Sequence, residues 1–274
     1  MSRDQFRFTI LGCGSSGGVP RIGGDWGKCD PSNPKNRRRR CSALIERRGA
    51  RAATSVLIDT GPDVREQLLS VAIERLDGVL YTHDHADHTH GIDDLRALAY
   101  RMKSRIDVWC DAPTRRSLET RFEYCFKQPK GSTYPAIFRA HDITIGQQIA
   151  VEGGGGVIDA LPLAQSHGKI DSLGFRVGAL AYSSDCSAFT DETIANLAGL
   201  DVWIVDGLRH EKHPAHFTVK EALGWIEKIR PKRAILTHMH VDLDYDTLRR
   251  SLPDGVEPAY DGMTIDFDGQ RAMS

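Results

Sequence analysis

Three histidines and one aspartate, His83, His85, Asp87 and His88, fall within six residues, straight after the apolar run Gly78-Val79-Leu80-Tyr81-Thr82. Imidazole and carboxylate groups suit zinc and other first-row divalent ions, and polar groups at a strand end can converge on one point. Eleven histidines scattered at random through 274 residues would not crowd in this way, so the segment reads as a metal-binding sequence. Two ions about 3.5–4 Å apart share a water and lower its pKa until hydroxide forms near neutral pH. That is hydrolytic chemistry and needs no protein nucleophile. Cys186 reads as a structural thiol.

Such a cluster needs a scaffold. Short apolar runs predict strands at 6–11, 42–46, 55–59, 78–82, 107–110, 157–163, 174–177, 179–183, 202–205 and 234–237. Helices are expected at about 63–71, 92–103, 114–126, 191–198, 218–230 and 246–251. The helix at 218–230 is the clearest, with Val219, Ala222, Leu223, Ile226 and Ile229 on one face. It starts with a capping-box pattern, Thr218-x-x-Glu221. Sheets covered by helices follow, and with no repeat or linker the whole of 1–274 is expected to be a single domain.

Composition narrows the partners. Lys and Arg number 36 against 37 for Asp and Glu, so no global field gathers nucleic acid or membrane. No apolar run approaches the roughly 18–20 residues that span a bilayer. The N-terminus does not read as a signal peptide. Six scattered cysteines without a C-x-x-C pair read as reduced thiols. A cytoplasmic protein without membrane contact is expected, with a homodimer as the ordinary assembly.

The run Thr82-His-x-His-x-Asp-His88 after a strand resembles the signature of the metallo-β-lactamase superfamily. The resemblance implies an α+β fold, a four-layer αββα sandwich of two mixed sheets with helices outside and metals at one edge. Other motifs follow in order. Asp59 in Ile58-Asp-Thr-Gly61 matches an orienting carboxylate, His167 the next ligand, and Asp185 the carboxylate bridging two metals. The last ligand should close the strand ending at Thr237, where both His238 and His240 stand and spacing does not separate them. The resemblance thus implies two divalent ions, zinc or manganese. His83, His85 and His167 would hold one, and Asp87, His88 and the last histidine the other.

Two ions bring four positive charges, and Asp87, Asp185 and one hydroxide return three. The net positive centre favours a phosphodiester anion over a neutral lactam, lactone or thioester. Leu11-Gly-x-Gly14, Gly18-Val-Pro20, the arginine run into Cys41-Ser42 and Asp261-Gly-Met263 are similar to the phosphodiesterase branch. They are most similar to phosphoribosyl cyclic phosphodiesterases and more distantly similar to ribonuclease Z. That resemblance implies a small cyclic or nucleotide-like phosphodiester as substrate. It also gives His216, just before the helix at 218–230, a role in contacting phosphate and protonating the leaving oxygen.

One departure concerns the loop at 21–30, where relatives carry several cysteines around a structural zinc. Here only Cys29 is present, too few for a closed four-ligand site. Arg37 to Arg40 read either as a charge-paired surface or as phosphate contacts. The segment 119–142, with Tyr124, Phe126, Tyr134 and Phe138, reads as a lid or wall over a small substrate. Large RNA is not an expected partner.

Overall fold

The structure is a computed structural model that describes residues 5–269. β1 (Gln5–Gly12), β2 (Ser42–Arg48), β3 (Ala53–Ile58), β4 (Gly78–Leu80), β5 (Ile106–Cys110) and β6 (Phe138–Asp142) lie side by side in one sheet. A second sheet is built from β7 (Ile149–Val151), β8 (Ile158–His167), β9 (Ile170–Val177), β10 (Leu180–Ser183), β11 (Ala188–Phe189), β12 (Val202–Asp206), β13 (Arg233–Thr237) and β14 (Val256–Pro258). The chain then returns to the first sheet with β15 (Thr264–Phe267), antiparallel to β1.

Side-chain alternation sets the layers. Ala43 and Ile45 of β2, Val56 and Ile58 of β3, and Leu80 of β4 pack into the core shared with Phe175, Ala181 and Ile204 of the second sheet. Their neighbours Leu44, Leu57 and Val79 face outward, onto Val64, Leu68, Ala99 and Leu118 from the helices Val64–Ser70, Arg96–Met102 and Ala112–Arg121. Burying one such aliphatic side chain is worth roughly 1.5–3 kcal/mol, so a charge at Leu57 would cost both its burial and its packing. Helices Val219–Ile229 and Tyr245–Ser251 bring Val219, Ala222 and Leu248 to the second sheet. The expected helix–sheet–sheet–helix arrangement is therefore present.

The capping box at Thr218 is formed in both directions, Thr218 accepting from the Glu221 N–H and Glu221 from the Thr218 N–H. Gly12 and Gly14 serve close packing. A Cβ at Gly12 would lie 2.0 Å from the Arg40 carbonyl, and one at Gly14 would lie 2.9 Å from the Arg38 Cβ. Only glycine lets the first loop run this near the arginine segment. All six cysteines are free and buried. Cys29 packs with Val19, Val241 and Trp26. No helix among the described residues is long and apolar enough to cross a membrane.

Candidate metal centre

β1, β3, β4, β8, β10, β12 and β13 all present their carboxyl ends at one edge, where ligands of helix-covered sheets collect. Asp59 follows β3, the 83–88 motif follows β4, His167 ends β8, Asp185 follows β10, Asp206 ends β12 and His238 follows β13. Asp59, Asp185 and His238 have φ of 62°, 52° and 57°, three of the six positive values among described non-glycine residues. This left-handed region is disfavoured for residues with a Cβ and is held only where surroundings impose it. Here it breaks each strand abruptly at the residue that reaches the centre. His85 precedes a one-turn helix, Ala86–Thr89, which carries Asp87 and His88.

A polar network sets ring orientations. Asp59 is fully buried and accepts from the Thr82 N–H and hydroxyl at 2.8 and 2.7 Å. Its Oδ2 lies 2.7 Å from His88 Nδ1, so that nitrogen donates and Nε2 is left for the centre. His167 Nδ1 donates to the Ala215 carbonyl at 2.8 Å, which turns its Nε2 toward His85 Nδ1, 3.4 Å away. Asp185 Oδ2 stands 3.2 Å from His88 Nε2, and its Oδ1 stands 3.1 Å from His238 Nε2.

Among the described residues, ligand atoms fall into overlapping sets that lie within 4.8 Å of one another. The sets are His83, His85 and His167; His83, His88 and Asp185; and Asp87, His88 and His238. Two further sets join His167 and Asp185 to His216, and Asp206 and His216 to His238. His83 Nε2, His88 Nε2, His238 Nε2 and Asp185 Oδ2 are buried, and the close contacts among them are too poorly aligned to be hydrogen bonds. Buried polar atoms left this way are costly unless something else binds them. Nitrogen and carboxylate donors converging at these distances fit divalent first-row ions.

Charge points the same way. Burial opposes a proton on His88, yet Asp185, Asp87 and Asp59 hold its pKa well above the ordinary histidine range. Burial likewise opposes charge on His238, but Asp185 raises it to about 9. Burial disfavours the ionised carboxyl of Asp185, but His238 and His88 keep it well below the usual carboxylate range. Asp87 is held low by His88 against the same burial. Burial, with the His88 charge, lowers His83. The ionised carboxylates of Asp87 and Asp185 are thus balanced by positive charge on His88 and His238, a charge that a bound cation would supply instead.

Geometry separates the two candidates for the last histidine. His238 is buried in the cluster, whereas His240 stands outside every set, with Nδ1 2.6 Å from Asp242 Oδ2 and Nε2 against the Arg21 guanidinium. His216 is buried, its ring stacked 4.4 Å from that of His238, with Nδ1 2.7 Å from Asp206 Oδ2. Asp206 was not legible as a site residue. Its one signal is a carboxylate closing the apolar run Val202-Trp-Ile-Val205 just before three histidines. Cys186 is buried, and burial pushes its thiol pKa up, so it is inert beside the centre.

The lid reading of 119–142 needs correction. Cys125, Phe126, Ile137 and Phe138 are buried in the outer core, and 138–142 is an edge strand, because Phe138 pairs with Ile106 in register. Arg121 does reach the motif, donating to the Asp84 carbonyl at 2.8 Å. The segment supports the metal loop from behind.

Residues 54–239 match the β-lactamase superfamily domain. Among solved structures, the chain is similar to one described as a new diphosphatase from the PhnP family. Identity is 35%, the TM-score is 0.84, and the match covers 96% of this chain and 97% of that one. It is 30% identical over 267 residues to an octanoyltransferase of Porphyromonas gingivalis, covering 96% of this chain and 52% of that protein. It is 31% identical over 147 residues to ribonuclease Z of Bradyrhizobium diazoefficiens, covering 53% of this chain and 46% of the relative. The chain spans about half the length of the curated relatives it matches.

Proposed function

The chain belongs to the β-lactamase superfamily, and from that membership we propose that it is a metal-dependent phosphodiesterase acting on a small cyclic or nucleotide-like diester. His83, His85 and His167 would hold one divalent ion, zinc or manganese, and Asp87, His88 and His238 a second, with Asp185 shared. When bound, such ions supply an activated water and Lewis-acid stabilisation of developing negative charge.

The protein's own residues do the rest. Asp59 fixes the His88 ring so that one nitrogen faces the centre. Asp206 holds His216 by Nδ1, so Nε2 is the ring nitrogen available to contact a phosphate oxygen and protonate a departing alkoxide. The observation that carries the reading is this Asp206–His216 pair beside Asp185, a proton-handling group next to a cation-binding cluster. A phosphodiester anion gains more from such a positive centre than a neutral carbonyl does. The likeness to a diphosphatase supports the same class.

The test is hydrolysis of bis(4-nitrophenyl) phosphate by metal-reconstituted protein, with and without chelator. Chelator-sensitive turnover is expected. Silence from protein holding two ions per chain would sink the reading. Thioesters, lactones and lactams would then be the next substrates to try.

A further inference from the structure

Asp261 lies in the turn between β14 and β15 and ties together segments far apart in sequence. Its backbone is fixed on both sides. The Ala259 N–H donates to the Leu236 carbonyl of β13 at 2.9 Å, and the Gly262 N–H donates to the Ile10 carbonyl of β1 at 2.7 Å. The side chain is only 12% exposed. Its Oδ1 accepts from the Cys13 N–H at 3.1 Å and from the Cys13 thiol at 3.4 Å. Its Oδ2 accepts from the Arg39 N–H and Nε at 2.8 and 3.0 Å. Arg39 is thereby committed to charge pairing, as Arg40 is to Asp63.

One further step leads to His238. The Cys13 carbonyl accepts from the Met239 N–H at 2.8 Å, and the Ser15 N–H donates to the Met239 carbonyl at 3.2 Å. Both backbone groups of the residue after His238 are therefore held by the loop that Asp261 anchors. From the opposite side, the Gly207 N–H donates to the Thr237 carbonyl and the His240 N–H to the Leu208 carbonyl, each at 3.0 Å. Between these clamps His238 keeps a φ of 57°, a conformation that persists only where surroundings impose it. Without the Asp261 carboxylate the buried Cys13 N–H loses its partner. A donor left in that state is costly, so the loop would move toward other acceptors and loosen its hold on Met239.

We propose that Asp261 is a positioning residue for the last ligand of the metal centre. Through Cys13 and Met239 it holds the backbone turn that aims His238 into the cluster, and so sets the affinity for one ion. The effect on the ion rests on the reading of His238 as a ligand, whereas the clamp on Met239 does not. Asp59 differs in touching the ring it orients.

The test uses the full-length chain with Asp261→Asn, which keeps the shape but offers one acceptor oxygen in place of two. Asp261→Ser is made alongside it, so that one folded variant suffices. Amide hydrogen exchange is followed residue by residue in metal-stripped protein, and zinc is then titrated against a chromophoric chelator, with His238→Ala as reference. Exchange at the Met239 amide should rise by about 10-fold, while Ile235 and Leu236 in the same buried strand stay near wild type. The zinc dissociation constant that disappears in His238→Ala should rise by about 10-fold, and the other should not move. Exchange at Met239 that is unchanged, or that rises no more than at Ile235 and Leu236, overturns the proposal. So does an equal loss of affinity for both ions, which would mark general destabilisation. Two ions retained by His238→Ala would instead defeat the ligand reading, and the exchange rates would still report on the clamp.

Discussion

His216 Nδ1 lies 2.7 Å from Asp206 Oδ2, and this contact joins a loop histidine to the end of a fully buried strand. If His216 handles the proton of the leaving group, His216→Ala should lower kcat by about 10²-fold or more while metal content stays at wild type. Asp206→Asn should act in the same direction more mildly, because the ring keeps a partner but loses its negative one. Elemental analysis alongside steady-state kinetics checks both. Wild-type turnover in His216→Ala would reduce this residue to packing.

The two histidines after β13 make opposite predictions. His238→Ala should lose about one ion per chain, since it removes a ring from the Asp87 and His88 set. His240→Ala should keep its full metal complement, because that ring faces Arg21 and Asp242. Metal counting after gel filtration decides between them, and metal loss from His240→Ala alone would reverse the assignment.

Asp185 touches both His88 and His238, so Asp185→Ala should abolish turnover and weaken retention of at least one ion. Full activity with both ions retained would rule out its shared position.

Asp59 acts at one remove. Asp59→Asn keeps the shape but gives up the charge that orients His88, and metal affinity should fall by about 10–100-fold. Competition against a chromophoric chelator measures this. An unchanged dissociation constant would contradict the orienting role.

The pH dependence of the metal-free protein follows from His238. Its pKa is raised to about 9, so its stabilising contribution is complete below its ordinary value and is lost as pH climbs through 9. Chelator-stripped protein should therefore melt at lower temperature at pH 9 than at pH 6.5. Asp185 and Asp87 work in the other direction, contributing above the ordinary carboxylate range and losing that contribution on acidification. Zinc binding near pH 7.5 should expel protons from His88 and His238. Calorimetric titration in buffers of different ionisation heat reads that release directly, and none at all would contradict these shifts.

Much of this was legible in the sequence, and the misses have physical reasons. The long central strands and the helix Val219–Ile229 announce themselves by burial period and cap. The 83–88 cluster does so by density. The short strands β6, β7, β11, β14 and β15 do not, because partner strands hold them rather than any pattern of their own. Phe138-Arg-Ala-His-Asp142, for example, has one buried aromatic and four partly or fully exposed residues. His238 and His240 are equivalent by spacing, and only the left-handed backbone at His238 turns one of them into the cluster. Asp206 looks like any strand-closing acid until the fold brings His216 to it.

The pairing of β1 with β15 has a consequence for biosynthesis. Arg7 and Asp266, 259 positions apart, are bonded across the edge of the first sheet, so that sheet closes only after residue 266 has been made. The ligand set is spread in the same way, from His83 to His238. A ribosome-bound chain would carry the dense first motif long before its last histidine, holding a partial and weak metal site. Contacts of such long range also slow folding, since loop closure must precede any gain from pairing. Tight metal capture should therefore coincide with late folding, and bound metal would report that both sheets have assembled around the site.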